Sequence, residues 1–360
     1  MRTATRRGAA WAGAVVPACA TLVALVWLVP DRSAELAGAE LLADSRGRSS
    51  LGWEIAHQAE SDNALDDVSL VGMRVVSARS HDFTLMAEDL MGFDFVRATP
   101  AGEIVDGWSY YPISNHGAFA MALDGRYAAT REATVSQMTR LEGGWRQEDV
   151  EARFLVGSVT VDMDGSMLVG SASGPSIDAL SPAGGTRRLM APADDAGAEV
   201  VAPDDLGPIV SLVRLPDQRV VFVSDTTDGF RMSVLDEREA MPFLGDHREN
   251  PVRSTGGAPV TYPDPTDVIV TVGPRFPSMA PLAPGPGGRV ITIGLGTGDV
   301  PEISLVDVDS GEIEVLARLK GVEPSDEEPV SAVAVGDDLV FTASGCVWRL
   351  EGAFARLNQG

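Results

Sequence analysis

Lysine is almost missing from this chain of 360 residues: Lys320 is the single lysine among 28 basic residues, and the others are arginines. Bases are scarce overall, 28 against 52 acids, which gives a net charge of −24. No stretch beyond the extreme N-terminus concentrates positive charge. A surface of that sign repels phosphate backbones, so nucleic acid is excluded as a partner and cationic or neutral ones remain. The preference for arginine fits a GC-rich coding sequence better than a binding role.

Cysteine is nearly as rare. Cys19 falls in an apolar N-terminal run, so the rest of the chain keeps only Cys346, and one thiol makes no intramolecular disulfide. Cys346 sits in "LVFTASGCVWRL", between strand-like runs, and reads as a small buried hydrophobe. There are four histidines, with no His-x-x-x-His and no Cys-x-x-Cys pair, which removes the standard zinc sites. No Gly-Lys-Ser/Thr phosphate loop occurs. "GSASG" at 170–174 has the composition of a nucleophile elbow, but Ala172 stands where the serine belongs. "GLGTGD" at 294–299 joins two strands instead of opening a helix. Long amphipathic helical patterns are also absent after residue 68.

What is present begins at the N-terminus. Arg2, Arg6 and Arg7 precede an uncharged stretch from Gly8 to Pro30, long enough to cross a bilayer at about 1.5 Å per helical residue. Trp11 and Trp27 lie roughly 24 Å apart on a helix, the spacing of the two membrane interfaces. The arginines hold this end inside, so the remainder is exported. The expectation is a retained signal-anchor over 1–30, a single-pass protein of the cell membrane with its C-terminal domain outside. The competing reading is a cleaved signal with Ala37-Gly38-Ala39 as the small-residue site, which makes the protein secreted. A lipoprotein signal at Cys19 comes third, because Pro17 is awkward there and apolar residues continue beyond it. Residues 31–67 are rich in Ala, Glu and Leu and read as a helical stalk or linker.

From Val68 onward the texture changes to short runs of Val, Ile, Thr and Phe broken by Gly, Asp and Pro, the signature of an all-β domain. These runs recur in one order: strand, tight turn, strand, loop, strand, Gly-containing turn, strand. "SVTVDMDG", "SMLVGSASG", "PSIDALSPAG" and "TRRLM" show it most clearly. Residues 113–150, 206–244, 281–319 and 329–357 repeat it, and 68–105 is a looser copy. The first turns fall near residues 81, 124, 164, 217, 287 and 337. Four strands per 40–50 residues is the pattern of a β-propeller blade. The expected fold is therefore an all-β propeller of six four-stranded blades over 68–360, with a Pro/Gly-rich insertion near 245–280. A seventh, degenerate blade around "DVIVTV" is the alternative.

The stretch "VDMDGSMLVGSASGPSIDALSPAG" resembles the repeat unit of NHL-type and related WD-like propellers. There an Asp-Gly turn precedes a strand and a later Pro-x-Gly closes the third. Asp124-Gly125, Asp164-Gly165 and Pro216-Asp217 match the first element; Pro182-Ala183-Gly184 and Ser310-Gly311 match the second. The Trp-Asp dipeptide and Gly-His pairs of WD repeats are missing. The resemblance implies architecture and carries no activity with it.

Asp162 and Asp164 could be two carboxylates of a cation loop. Gly165 arrives too early for calcium-loop spacing, however, and Met167 and Leu168 follow, so a hairpin turn is the better account. Ligands of propellers meet the face lined by the loops entering each innermost strand and by the loops between second and third strands. The first kind offers Asn115, His116, Asp205, Arg275 and Glu328; the second offers Asp89, Glu132, Asp225 and Asp299. Carboxylates with one histidine form a donor set for a divalent cation or a sugar, while a solvated acidic rim explains the same residues more simply. No cofactor and no metal site are expected on these grounds. His57, His81 and His247 read as surface or structural. The functional expectation is a monomeric binding module of the cell envelope, engaging an envelope protein, a small molecule or a glycan. A propeller hydrolase of the lactonase, esterase or glycan-cleaving sort, with a channel metal, is the runner-up.

Overall fold

The computed structural model describes residues 39–44, 71–79, 81–88, 93–110, 119–121, 126–142, 144–161, 164–195, 197–226, 229–236, 239–244, 252–253, 259–260, 282–295, 301–322, 330–343, 345–355 and 357. They belong to one compact unit running from Gly38 to Gly360. Among them no helix is long and apolar enough to cross a membrane, and the span expected at 8–30 lies outside the described residues.

Strand β1 spans Glu40–Asp44. The first blade is β2 (Val71–Ala78), β3 (Phe83–Glu88), β4 (Phe93–Ala98) and β5 (Ile104–Tyr110). The second is β6 (Phe119–Met121), β7 (Tyr127–Arg131), β8 (Thr134–Leu141) and β9 (Gly144–Glu151). The third holds β10 (Val156–Val161), β11 (Met167–Ser171), β12 (Ile177–Leu180) and β13 (Thr186–Ala191), and a short parallel strand β14 (Val200–Val201) is added outside it. The fourth is β15 (Ile209–Arg214), β16 (Val220–Thr226), β17 (Gly229–Leu235) and β18 (Ala240–Leu244). A small hairpin of β19 (Val252–Arg253) and β20 (Pro259–Val260) lies in the Pro/Gly-rich insertion. The fifth blade is β21 (Ala283–Pro284), β22 (Val290–Leu295), β23 (Pro301–Val306) and β24 (Ile313–Arg318). The sixth is β25 (Ser331–Val335), β26 (Asp338–Ala343) and β27 (Cys346–Leu350). The chain is thus a propeller of six blades, each a four-stranded antiparallel meander, and the stretch suggested for a seventh falls outside the described residues.

The sixth blade corrects the sequence reading twice. Its fourth strand is β1, paired antiparallel with β27 so that Glu40 faces Arg349 and Asp44 faces Cys346. Residues 40–44, assigned to a helical stalk by their Ala/Leu/Glu composition, are therefore a strand. "AFARL", taken for the closing strand, forms turns instead, with Phe354 fully buried. Tertiary pairing overrides local propensity here: β27 presents an open edge that only a strand can satisfy. A second tie joins the first and last blades, since Val75 N donates to Ser331 Oγ at 2.7 Å across the closure. Cys346 is half-buried at the start of β27, more accessible than the core residue the sequence suggested.

Runs apolar on both faces occupy the inner blade strands because a blade packs on both sides. One cluster, with Met86, Phe95, Trp108, Tyr127 and Met138, fills the gap between the first two blades. Another, with Val135, Val159, Met167 and Leu180, joins the second to the third. Leu168, Ile177, Met190, Ile209 and Phe222 join the third to the fourth; Val221, Val223, Met232, Val290 and Val306 join the fourth to the fifth. The innermost strands of the third and fourth blades approach too closely for a side chain at Gly170, where a Cβ would press on Ser158 Oγ and on Ile209 Cγ2 at 2.5 Å.

Candidate functional site

Strand direction fixes two faces. The loops entering innermost strands and the loops joining second to third strands share one face, called the upper face here. The first turns and the turns joining third to fourth strands share the lower face.

The lower face is stapled together. Asp164 Oδ1 accepts from both Ser166 N (2.8 Å) and Ser166 Oγ (2.6 Å), and Gly165 takes the left-handed φ of +83° that the turn requires. Those two bonds, led by the hydroxyl, hold the Asp164 carboxyl below the ordinary carboxylate range. Gln137 Nε2 from the neighbouring blade donates to Gly165 O at 2.8 Å. This carboxylate is spent on its own turn, as the hairpin reading expected; Asp162 lies outside the described residues. Asp307 repeats the device in the fifth blade, accepting from Asp309 N, Ser310 N and Ser310 Oγ. Burial raises its pKa, but these bonds and the nearby Arg289 outweigh burial and leave it lowered. Arg219 bridges Asp217 and Asp309, tying the fourth blade to the fifth.

Two of the expected upper-face residues come together on the fourth blade. The segment 203–208 enters β15, and Asp225 lies near the end of β16. Asp225 N donates to Pro208 O at 2.8 Å, and a Cβ on Gly207 would collide with the Asp225 carbonyl oxygen. Glycine is required there for close backbone approach. The clamp brings Asp205 and Asp225 to one corner, both exposed. Asp205 Oδ2 pairs with Arg231 Nη1, and Arg231 stands next to Asp225 in the register, opposite Ser224. Glu132 occupies the corresponding loop of the second blade with a left-handed φ of 55°, and its carbonyl accepts from Val156 N at 2.8 Å. Asn115, His116, Arg275, Asp299, Glu328 and Asp89 lie outside the described residues. His81 is exposed. Among the described residues no group of three His, Cys, Asp or Glu side chains is placed to hold a metal ion.

Sequence reasoning missed one charged cluster on the third blade. Asp178, on β12 just below the upper face, is fully buried, and neither of its oxygens has a hydrogen-bond partner among the described residues. Arg188 Nε lies 3.5 Å away and Arg188 Nη1 also pairs with the exposed Asp195. Burial pushes the Asp178 carboxyl up, opposed by Arg188 and then Arg153. Alternation in "SIDAL" was the available signal: an acid flanked by apolar residues in a strand with two buried faces. In "SASG", Ser173 N donates to Ser171 Oγ at 3.1 Å, so Ser171 is engaged in its own loop.

No family model matches the chain, and no curated protein matches it in sequence. Solved structures resemble it. Virginiamycin B lyase of Staphylococcus aureus is 12% identical with a TM-score of 0.42, covering 80% of this chain and 82% of that one. TolB of Acinetobacter baumannii is 13% identical with a TM-score of 0.43, over 81% and 66%. A gluconolactonase of Xanthomonas campestris is 14% identical with a TM-score of 0.41, over 78% and 90%. The likeness is one of fold. These neighbours are propeller proteins, and nothing about this chain's chemistry is drawn from them.

Proposed function

We propose that this chain is an exported, membrane-anchored β-propeller that serves as a ligand- or protein-binding module of the cell envelope. Export is supported by the three arginines ahead of the uncharged run from Gly8 to Pro30. Binding is supported above all by the upper corner of the fourth blade. There the Asp225–Pro208 clamp holds two exposed carboxylates on a rigid strand end, one of them paired with the buried Arg231, an arrangement expected of a surface that positions a polar or cationic partner. The acidic chain favours the same partners.

Proteolysis of intact cells, followed by mass spectrometry of the mature N-terminus, tests the first half. Propeller peptides released from outside, with residues 1–30 retained in the membrane fraction, are the expected result; a chain protected until lysis refutes export. Metal analysis of the purified protein separates this reading from a hydrolase. Stoichiometric divalent metal, together with lactone or ester hydrolysis that is lost in Asp225→Ala, would replace it with the enzyme reading.

A further inference from the structure

One outer edge of the propeller differs from the rest. An outermost strand leaves a row of backbone N–H and C=O groups unpaired, and bulges, prolines, lysines or a covering strand blunt such edges in most proteins. The pairings of β5, β13, β18, β24 and β1 with their inner neighbours all contain a register shift. In addition, β18 holds Pro242, and β14 covers part of β13. The β8–β9 ladder runs without a shift from Thr134 opposite Glu151 to Leu141 opposite Gly144. Strand β9 is 8 residues long, contains neither proline nor lysine, and has no strand beyond it among the described residues.

The direction of its backbone groups follows from the ladder. Ala152 N donates to Ala133 O at 2.7 Å, one pair beyond the ladder in the same register. Hydrogen-bonded and non-bonded pairs alternate between antiparallel strands, so Val150, Glu148 and Arg146 turn their N–H and C=O groups toward β8. Glu151, Asp149 and Gln147 turn theirs outward. Side chains alternate as well. Arg146 and Glu148 share one face, where Arg146 Nη2 meets Glu148 Oε1 at 3.1 Å, and Gln147 and Asp149 share the other. Arg146, Gln147 and Asp149 are exposed and Glu148 is half-buried.

We propose that β9 pairs with β9 of a second copy of this chain, antiparallel and centred on Gln147, joining two four-stranded blades into one continuous sheet. Identical strands joined this way are related by a two-fold axis perpendicular to the sheet, which keeps every side chain on its own face. Even-numbered residues therefore oppose even-numbered ones, and odd oppose odd. Centring on Gln147 places Arg146 opposite Glu148 of the second copy, and symmetry repeats the contact, so two ion pairs flank the axis. They occupy non-bonded positions, where Cα atoms lie about 4.5 Å apart and side chains approach closest. Centring on Arg146, Glu148 or Asp149 instead sets that residue against its own copy, like charge on like. The charges of β9 thus select one register. Gln147, at the axis, belongs to the outward-facing set and exchanges two backbone hydrogen bonds with its copy. An open sheet edge is the ordinary template for such strand addition. The net charge of −24 repels the copies at longer range and keeps the association weak. The inference is independent of the fourth-blade corner.

Sedimentation velocity on the full-length chain in mild detergent reports the association state as concentration rises to about 1 mM. A monomer–dimer equilibrium with a dissociation constant of about 10–100 µM is expected, as suits a small interface between like-charged copies. Arg146→Glu and Glu148→Arg, each alone, turn both ion pairs into repulsions and should weaken dimerisation about tenfold or more. The double variant Arg146→Glu/Glu148→Arg reverses both pairs and should restore the wild-type constant to within about threefold. Gln147→Cys should give a disulfide-linked dimer on mild oxidation, because opposed Cα atoms in a bonded pair lie about 5.5 Å apart. Glu148→Cys should not, since its copy lies two residues out of register. If a charge variant fails to fold, the contrast between these two cysteine variants decides the question. A monomer at every concentration, the state expected from the sequence, overturns the proposal. So does a dimer that both single charge variants leave within about twofold, as association through residues 1–30 would be. A double variant as weak as the single ones overturns it too.

Discussion

Asp44→Cys converts the closure of the ring into a covalent measurement. Asp44 and Cys346 are direct partners in the β1–β27 register. Directly opposed Cα atoms in an antiparallel pair lie roughly 4.5–5.5 Å apart, inside the range a disulfide spans without backbone movement. Cys346 is half-buried and is the only cysteine outside the N-terminal apolar run, so the new thiol has one partner. The bond would close a loop of about 300 residues, for which chain entropy alone gives about 5–6 kcal/mol. Native-state strain and residual structure in the unfolded chain commonly reduce such gains to ~2–4 kcal/mol. For a unit of this size, each kcal/mol raises the melting temperature by about 1.5 °C, so an increase of ~3–6 °C is expected under oxidising conditions, and reductant should abolish it. Peptide mapping without reduction should find residue 44 linked to Cys346. A free Cys346 after oxidation would refute the register, and linkage with a lower melting temperature would show that the pairing is strained or transient.

Other consequences can be measured on single variants. Gly207→Ala drives a Cβ into the Asp225 carbonyl and should cost about 1–3 kcal/mol, read as a lower denaturant midpoint with an unchanged slope; a neutral result would mean that the upper corner is not clamped. Asp178 titrates with a raised folded-state pKa, so the folded form keeps its proton while the unfolded form loses it, and wild-type stability declines as pH rises through that window. Asp178→Asn removes this contribution, and its stability relative to wild type should improve from about pH 4 toward neutrality; a difference of opposite slope would mean that Arg188 and Arg153 more than offset burial. Asp307 behaves inversely: its pKa is lowered, so its contribution is present above the unfolded value and lost on acidification. Asp307→Ala should destabilise by about 1–3 kcal/mol at pH 7 and progressively less below about pH 4, in melting curves taken across that range.

The repeat was legible because its punctuation is chemical. Gly165 and Gly311 adopt left-handed φ values that other residues resist, and Asp164 and Asp307 cap their own turns, so each blade announces its corners in sequence. Closure was not legible. Glu40–Asp44 carries Ala, Leu and Glu, a helix-favouring set, and becomes a strand only because β27 offers an edge some 300 residues away. The upper corner was half legible: Asp205 and Asp225 could be nominated from loop position, but the Gly207 contact that brings them together is a backbone proximity without a local signature. The aromatic cluster between the first two blades was hidden for another reason. Trp108 and Trp145 belong to different blades, and only the inter-blade packing brings their rings into one cluster.

The binding role of the upper corner is tested most directly by photo-crosslinking in cells of origin. A benzophenone amino acid replaces Asp225 on the upper face in one strain and Ala183 in the lower-face turn between β12 and β13 in another. Envelope fractions are irradiated and the adducts identified by mass spectrometry. A reproducible adduct from position 225 that is absent from position 183 is expected. Equal adducts from both positions, or none from position 225, would contradict it.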